Sequence, residues 1–65
     1  MQIYLNGELT DTPCQNLMQL IQALALEGKR FAVEYNQQII PKSKLEQIII
    51  AQHDRIEIIH AVGGG

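Results

Sequence analysis

The stretch LMQLIQAL, residues 17–24, decides the fold, because it carries the one convincing helix pattern in the chain. Its apolar residues recur at positions i, i+3, i+4 and i+7, the spacing that places side chains on one face of a helix. These residues are Leu17, Leu20, Ile21 and Leu24. The pattern predicts an amphipathic helix that packs one face against another layer of structure.

The ends of this helix are predicted from capping residues. Two capping-box patterns could begin it, Thr12 with Gln15 and Asn16 with Gln19, and Asn16 is better placed against the periodic residues. Gly28 can adopt the left-handed conformation that ends helices. The sequence therefore predicts a helix over about residues 17–27.

Residues before the helix alternate like a hairpin. The segment 2–6 alternates polar and apolar residues, and Asn6-Gly7 is a strong two-residue turn signal. A second strand is expected over residues 8–11. Leu9 is its only clear candidate for an inward side chain, so this strand is expected at or near a sheet edge.

Alternating strands also follow the helix. Residues 31–35 read as a third strand, a turn is expected at Asn36-Gln37, and residues 38–40 read as a short returning strand. Pro41 ends that strand because proline cannot donate to a sheet ladder. Ser43 with Glu46 then resembles a capping box for one helical turn.

The last strand is predicted over residues 55–60, with Ile56 and Ile58 turned to the core and Ile59 on the opposite face. Residues 48–51 fit either a strand or a buried loop. The expected fold class is α+β, with one main helix across one face of a mixed four- or five-stranded sheet. We expect one domain over residues 1–60 and a flexible glycine-rich tail over residues 61–65.

Composition narrows the function classes. Sixty-five residues with a net charge of −2 disfavour a nucleic-acid binder, since the few basic residues are scattered along the chain. These are Lys29, Arg30, Lys42, Lys44 and Arg55. Neither a secretory signal nor an apolar run of membrane-spanning length is recognisable. With its single cysteine, Cys14, the chain fits a reducing, soluble, cytoplasmic setting.

Conventional catalytic motifs and metal-ligand spacings are absent from the sequence, so no catalytic residue and no metal site is expected. Cys14 is interpreted as a small apolar residue, because no nearby basic residue would lower its pKa. His53 and His60 are interpreted as surface histidines in a turn and on the last strand. Pairs of carboxylates such as Glu8 and Asp11 are expected to be solvated.

The unusual feature is the run Gly63, Gly64 and Gly65. Glycine has no β-carbon, so such a tail can lie extended in a narrow channel and carry a carboxylate into a partner's active site. The tail alone fits a frayed terminus or a cloning linker equally well. An exposed Ile59 beside it favours function, because an apolar residue next to a tail makes a docking patch.

The chain resembles the ThiS-type sulfur carriers of thiamine biosynthesis, which have the ubiquitin-like β-grasp fold. The resemblance covers nearly the whole chain and is most specific in four segments: MQIYLNG (1–7), NQQIIP (36–41), DRIEI (54–58) and VGGG (62–65). The last fits the V-x-G-G ending of that family, with Gly63 at the variable position. His53 departs from the pattern, which has glycine there, and histidine tolerates positive φ better than most residues.

The resemblance implies a protein cosubstrate that is not itself an enzyme. An E1-like adenylyltransferase would use ATP to adenylate Gly65, and a sulfur-donating enzyme would convert it to a thiocarboxylate for thiazole synthase. The carrier itself would bind no cofactor. Gly63 and Gly64 would thread into the partner, and Ile59 and Val62 would contact it.

Three other functions remain open at this point. The same fold could serve molybdopterin synthesis or another thiolation pathway, although the short length and the NQQIIP segment favour thiamine. Gly65 could instead form isopeptide bonds as a ubiquitin-like modifier. A passive interaction domain with an incidental glycine tail is the last alternative.

Overall fold

A five-stranded mixed sheet with one helix on one face forms the protein, in a computed structural model that describes residues 1–61. The strand order is β2-β1-β5-β3-β4, so both predicted hairpins flank a central β5. β5 is parallel to β1 and antiparallel to β3. The elements are β1 (Gln2–Leu5), β2 (Glu8–Asp11), α1 (Leu17–Ala23), β3 (Phe31–Tyr35), β4 (Gln38–Ile40), a 3-10 helix (Lys42–Gln47) and β5 (Arg55–His60).

The start of α1 follows the sequence prediction. The Asn16 side chain accepts a hydrogen bond from the Gln19 N–H at 2.8 Å, which satisfies one of the free donors of the first turn. The Gln19 side chain in turn accepts from the Gln15 N–H at 2.7 Å. Asn16 is therefore the N-cap, as its position before the periodic residues indicates.

The predicted end of α1 was wrong, because the helix ends at Ala23 rather than near residue 27. Ala25, with φ 58°, takes the left-handed position expected for glycine. Its N–H donates to the Gln22 carbonyl and the Leu26 N–H donates to the Ile21 carbonyl, both at 3.0 Å, the two bonds of a Schellman motif. This early stop turns Leu26 into the core, and burial of that side chain offsets the strain at Ala25.

The core lies between α1 and the inner face of the sheet. Ile56 and Ile58 are buried as predicted, and Ile59 points away from the core. Cys14 is a buried free thiol in the same cluster, consistent with its interpretation as a small apolar residue. The other buried apolar residues are Ile3, Leu17, Leu20, Ile21, Leu26, Val33, Leu45 and Ile50.

Leu9 does not face inward, which corrects the sequence prediction. The turn at Asn6-Gly7 sets a register in which Leu9 lies opposite Tyr4 and Thr10 lies opposite the buried Ile3. Because side chains alternate between the faces of a sheet, Leu9 falls on the outer face, where it is 55% exposed. β2 is an edge strand, as expected.

The connection between β4 and β5 was predicted in part. The expected helical turn is a 3-10 helix, but its N-cap is Pro41 and no side chain caps it, so Ser43 and Glu46 do not form a capping box. Residues 48–51, which fit either a strand or a buried loop, contain one isolated β-bridge, from Ile49 to Asn16. Within residues 1–61, no helix is long and apolar enough to span a membrane.

Candidate functional site: the tail root and its sheet face

The site of interest is the end of β5, where the chain leaves the sheet. β5 ends at His60, and the Ala61 N–H donates to the Arg30 carbonyl at 3.3 Å. We call His60 and Ala61 the tail root. Four of the predicted site residues follow it and lie outside the described part of the chain: Val62, Gly63, Gly64 and Gly65.

On the β1 side, the side chain of Asn6 extends the ladder that holds β5. The backbone N–H groups of Tyr4 and Asn6 donate to the carbonyls of Asp54 and Ile56, both at 2.9 Å. The chain then turns away from β5, and the Asn6 side chain makes the next hydrogen bonds of the ladder in place of the backbone. Its oxygen accepts from the Ile58 N–H at 2.8 Å, and its nitrogen donates to the Ile58 carbonyl at 3.4 Å.

This role of Asn6 was missed by sequence reasoning, which assigned the residue only to a turn. The turn is also real, since Asn6 and Gly7 have φ values of 50° and 84°. Both functions suit asparagine, because it tolerates the left-handed region and carries an amide that can pair with a backbone. The sequence gives only one weak indication of this role: the turn has asparagine at a position where aspartate or glycine would serve equally well.

The other end of β5 is fixed by a network around Asp54. Its carboxylate accepts hydrogen bonds from the Tyr35 hydroxyl, from the Ala51 N–H at 2.7 Å and from the Asn36 amide at 3.2 Å. The Asn36 oxygen accepts from the Arg55 N–H at 2.8 Å. The end of β3 and the turn after it are thereby tied to the first residues of β5.

These contacts shift two pKa values. Burial, the hydrogen bond to Asp54 and the negative charge of Asp54 together raise the pKa of Tyr35 to about 12. Burial also raises the pKa of the Asp54 carboxyl, but hydrogen bonds from Tyr35, Ala51 and Asn36 outweigh it, so that its pKa lies below the ordinary value. Asp54 is therefore a structural anion at neutral pH.

Beside the tail root, the outer face of the sheet carries a patch in which exposed isoleucines lie beside two glutamates. Ile59 is 71% exposed and lies opposite Ala32 of β3. Ile39 of β4 is 69% exposed and lies opposite Glu34, which in turn lies opposite Glu57. We call these five residues the outer patch. An exposed apolar surface of this kind is typical of protein docking sites.

The remaining candidate residues are not brought together. His53 lies in a turn with φ 67°, where its N–H donates to the Gln2 carbonyl at 2.7 Å. His60 is exposed at the tail root, and Cys14 is buried elsewhere. Among residues 1–61, no group of three His, Cys, Asp or Glu side chains is placed to hold a metal ion.

The ThiS family model matches residues 3–65, almost the whole chain. The chain belongs to the ThiS family. The sulfur carrier protein ThiS of Bacillus subtilis is 39% identical over 49 residues, which cover 75% of this chain and 74% of that protein. The crystal structure of the thiamine biosynthesis protein ThiS from Geobacter metallireducens matches all of both chains with a TM-score of 0.82 at 22% identity, which confirms the predicted fold.

Two further relatives are larger proteins. The thiazole synthases of Paramagnetospirillum magneticum and Magnetococcus marinus are 32% and 29% identical over 66 residues, which cover the whole of this chain. The chain spans about a fifth of the length of each, 20% in both cases. A region similar to this ThiS-family chain thus exists within proteins named for thiazole synthesis.

Proposed function

We propose that this chain is a sulfur carrier of thiamine biosynthesis whose C-terminal Gly65 is adenylated and converted to a thiocarboxylate. The observation that carries the proposal is the ThiS family match, which extends to residue 65 and so includes the run Gly63, Gly64 and Gly65. The carrier supplies no acid, base or metal to the reaction. It places one activated carbonyl carbon, and the enzymes are its partners.

In the proposed reaction, an E1-like adenylyltransferase uses ATP. A Gly65 carboxylate oxygen attacks the α-phosphate, and pyrophosphate leaves. The outer sulfur of a persulfide on a sulfur-donating enzyme then attacks the acyl carbon and AMP leaves. A second thiol cleaves the resulting S–S bond, which leaves the thiocarboxylate on Gly65 and a disulfide as the oxidised product, without a cofactor on the carrier. Gly63 and Gly64 thread through the partner's channel, because glycine leaves the backbone narrow and free in its angles.

Thiazole synthase is the proposed acceptor of the sulfur. The support is that two relatives named thiazole synthase contain a region similar to this whole chain. The proposed location is the cytoplasm, which the buried free thiol of Cys14 supports.

Ile59 and Val62 are the proposed partner-contacting residues. Ile59 supports this role by its position one residue before the tail root and by its 71% exposure. A partner that covers the outer patch brings its active site within reach of the tail, since any four-residue segment can span at most about 13 Å at roughly 3.3 Å per residue.

The proposal is tested by intact-mass spectrometry after incubation with the activating enzyme, ATP and a sulfur source. We expect a mass gain equal to the replacement of one oxygen atom by sulfur. Removal of Gly64 and Gly65, or the substitution Gly64→Trp, is expected to abolish the gain while the urea unfolding curve stays unchanged. An unchanged mass in the parent chain with active enzyme would refute the carrier function, and covalent ladders on other proteins would indicate a modifier.

The docking role is tested with Ile59→Ala. In the proposed complex the partner buries the Ile59 side chain. Its loss is therefore expected to raise the KM of the activating enzyme for the carrier about tenfold and to leave kcat nearly unchanged. Ile49→Ala is the matched control, because Ile49 is 67% exposed and lies outside the outer patch. Equal KM values for both variants would exclude Ile59 as a contact.

A further inference from the structure

A cleft on the helix side of the protein is not used by the proposed sulfur transfer. It has a volume of about 380 Å³ and lies between α1, the segment that leads into β3, and the 3-10 helix. Its apolar lining comes from Met18, Ile21, Phe31 and Leu45. This volume is in the range of sites that bind small molecules.

The rim of the cleft concentrates positive charge that is scattered in the sequence. Lys29, Arg30 and Lys42 all line it, which is three of the five Lys and Arg residues in a chain of net charge −2. Glu27 is the one acidic residue in the lining. The cleft therefore has a local positive balance, opposite in sign to the protein as a whole.

Lys42 is held over the cleft by two contacts. Its ammonium group lies 4.5 Å from the centre of the Phe31 ring and 3.5 Å from the Lys29 carbonyl oxygen. A cation above an aromatic face is stabilised by the ring electrons. Because a lysine ammonium has three donors, this placement leaves donor capacity for an anion at the mouth of the cleft.

We propose that this cleft binds a small phosphate monoester with an apolar ring. The ring would lie against the apolar lining, where the unbranched Met18 side chain can adapt to its shape. The phosphate would meet the rim, where Arg30 offers a planar fork suited to phosphate and the lysines offer point charges. The inference does not depend on the proposed sulfur transfer, because the binding needs neither the tail nor an enzyme.

The cleft also lies next to the tail root. Arg30 lines the rim, and its carbonyl accepts the hydrogen bond from Ala61. Phe31 lies opposite His60 in the sheet. A bound phosphate monoester would therefore contact Arg30 and Phe31, the residues that pair with the tail root.

The test is a nitrogen–proton NMR titration of the full chain with phenyl phosphate, with inorganic phosphate and phenol as the separate halves of the probe. We expect saturable shifts at the amides of Met18, Phe31 and Leu45 with a Kd of about 1 mM or tighter. Each half alone is expected to bind at least about tenfold more weakly, because it makes only one of the two sets of contacts.

Lys42→Gln is expected to weaken phenyl phosphate binding about tenfold, through loss of a charge-assisted hydrogen bond. Lys44→Gln is the matched control, because Lys44 is on the same 3-10 helix and does not line the cleft. Three results would each overturn the proposal: no saturable shifts, equal affinity for phenyl phosphate and inorganic phosphate, or equal weakening in the two lysine variants. The last two would indicate diffuse attraction of anions.

Discussion

The first and last residues of β5 lie in contrasting surroundings. At its start, Asp54 binds three partners from two other segments, and Asn36 pairs with both the carbonyl and the N–H of Arg55. At its end, Asn6 holds Ile58, and Ala61 reaches Arg30 at 3.3 Å. Polar bonding is concentrated at the start of the strand.

The two ends of β5 therefore have different expected roles: the start stabilises the fold, and the end positions the tail. At the start of β5 the bonds converge on the Asp54 carboxylate, and hydrogen bonds to a charged group stabilise a fold more than those between neutral groups. A tail that must enter a partner's active site gains nothing from bonds that have to break again on docking. Substitutions at the start are therefore expected to change the free energy of unfolding, and substitutions near the tail root are expected to change transfer.

The largest effect on stability is expected from Asp54→Ala. Loss of the carboxylate removes three hydrogen bonds to a charged group, so we expect the free energy of unfolding to fall by about 3 kcal/mol in urea denaturation. Asp11→Ala is the control, because the Asp11 side chain is 82% exposed and its contact with the N-terminus is a surface salt bridge, which contributes about 0–1 kcal/mol. Similar losses in both variants would show that the network around Asp54 adds no special stability.

Much of this fold could be predicted because its strands obey a simple alternation. Ile56 and Ile58 alternate with polar residues, so their burial and the exposure of Ile59 followed directly from the period of a strand. The prediction that Leu9 faces inward was wrong for a related reason. With one apolar residue in a four-residue strand, alternation alone does not identify the buried face, and only the register across the turn decides it. That register depends on pairing with Tyr4, which the sequence of β2 alone does not contain.

The end of α1 and the polar contacts were harder for a related reason. Gly28 is a better left-handed residue than Ala25, and local preference therefore favoured a longer helix. Burial of Leu26 decided otherwise, and that gain comes from the tertiary fold. The amide of Asn6 was likewise unpredictable, because Ile58 is far away in sequence and the contact exists only when β5 lies beside β1.

A matched pair of substitutions sharpens the contrast: Asn6→Gly near the tail root and Asn36→Gly at the start of β5. Glycine keeps the positive φ that both positions require, so each variant loses only side-chain hydrogen bonds. We expect each to lower the free energy of unfolding by about 1–2 kcal/mol. Only Asn6→Gly is expected to slow thiocarboxylate formation, because it releases Ile58 close to the tail root. Equal rates for the two variants would mean that the position of β5 near its end does not limit transfer.

The smallest effect concerns pH and Tyr35. Because the pKa of Asp54 is lowered on folding, its contribution is complete above about pH 4 and is lost as the pH falls through the folded value. The pKa of Tyr35 is raised to about 12, so its contribution is complete below about pH 10 and is lost as the pH rises toward the folded value. Stability in urea should therefore be flat between these limits as far as this pair is concerned.

Tyr35→Phe tests the alkaline side of this dependence. It should cost about 1 kcal/mol at neutral pH, through loss of the hydroxyl bonds to Asp54 and Ile49. It should also reduce the loss of stability above pH 10, while Tyr4→Phe, which changes a tyrosine outside the network, should leave that loss in place. If Tyr35→Phe loses as much stability above pH 10 as the parent chain does, that loss comes from other titrating groups. The network would then contribute to the pH dependence only through the charge of Asp54.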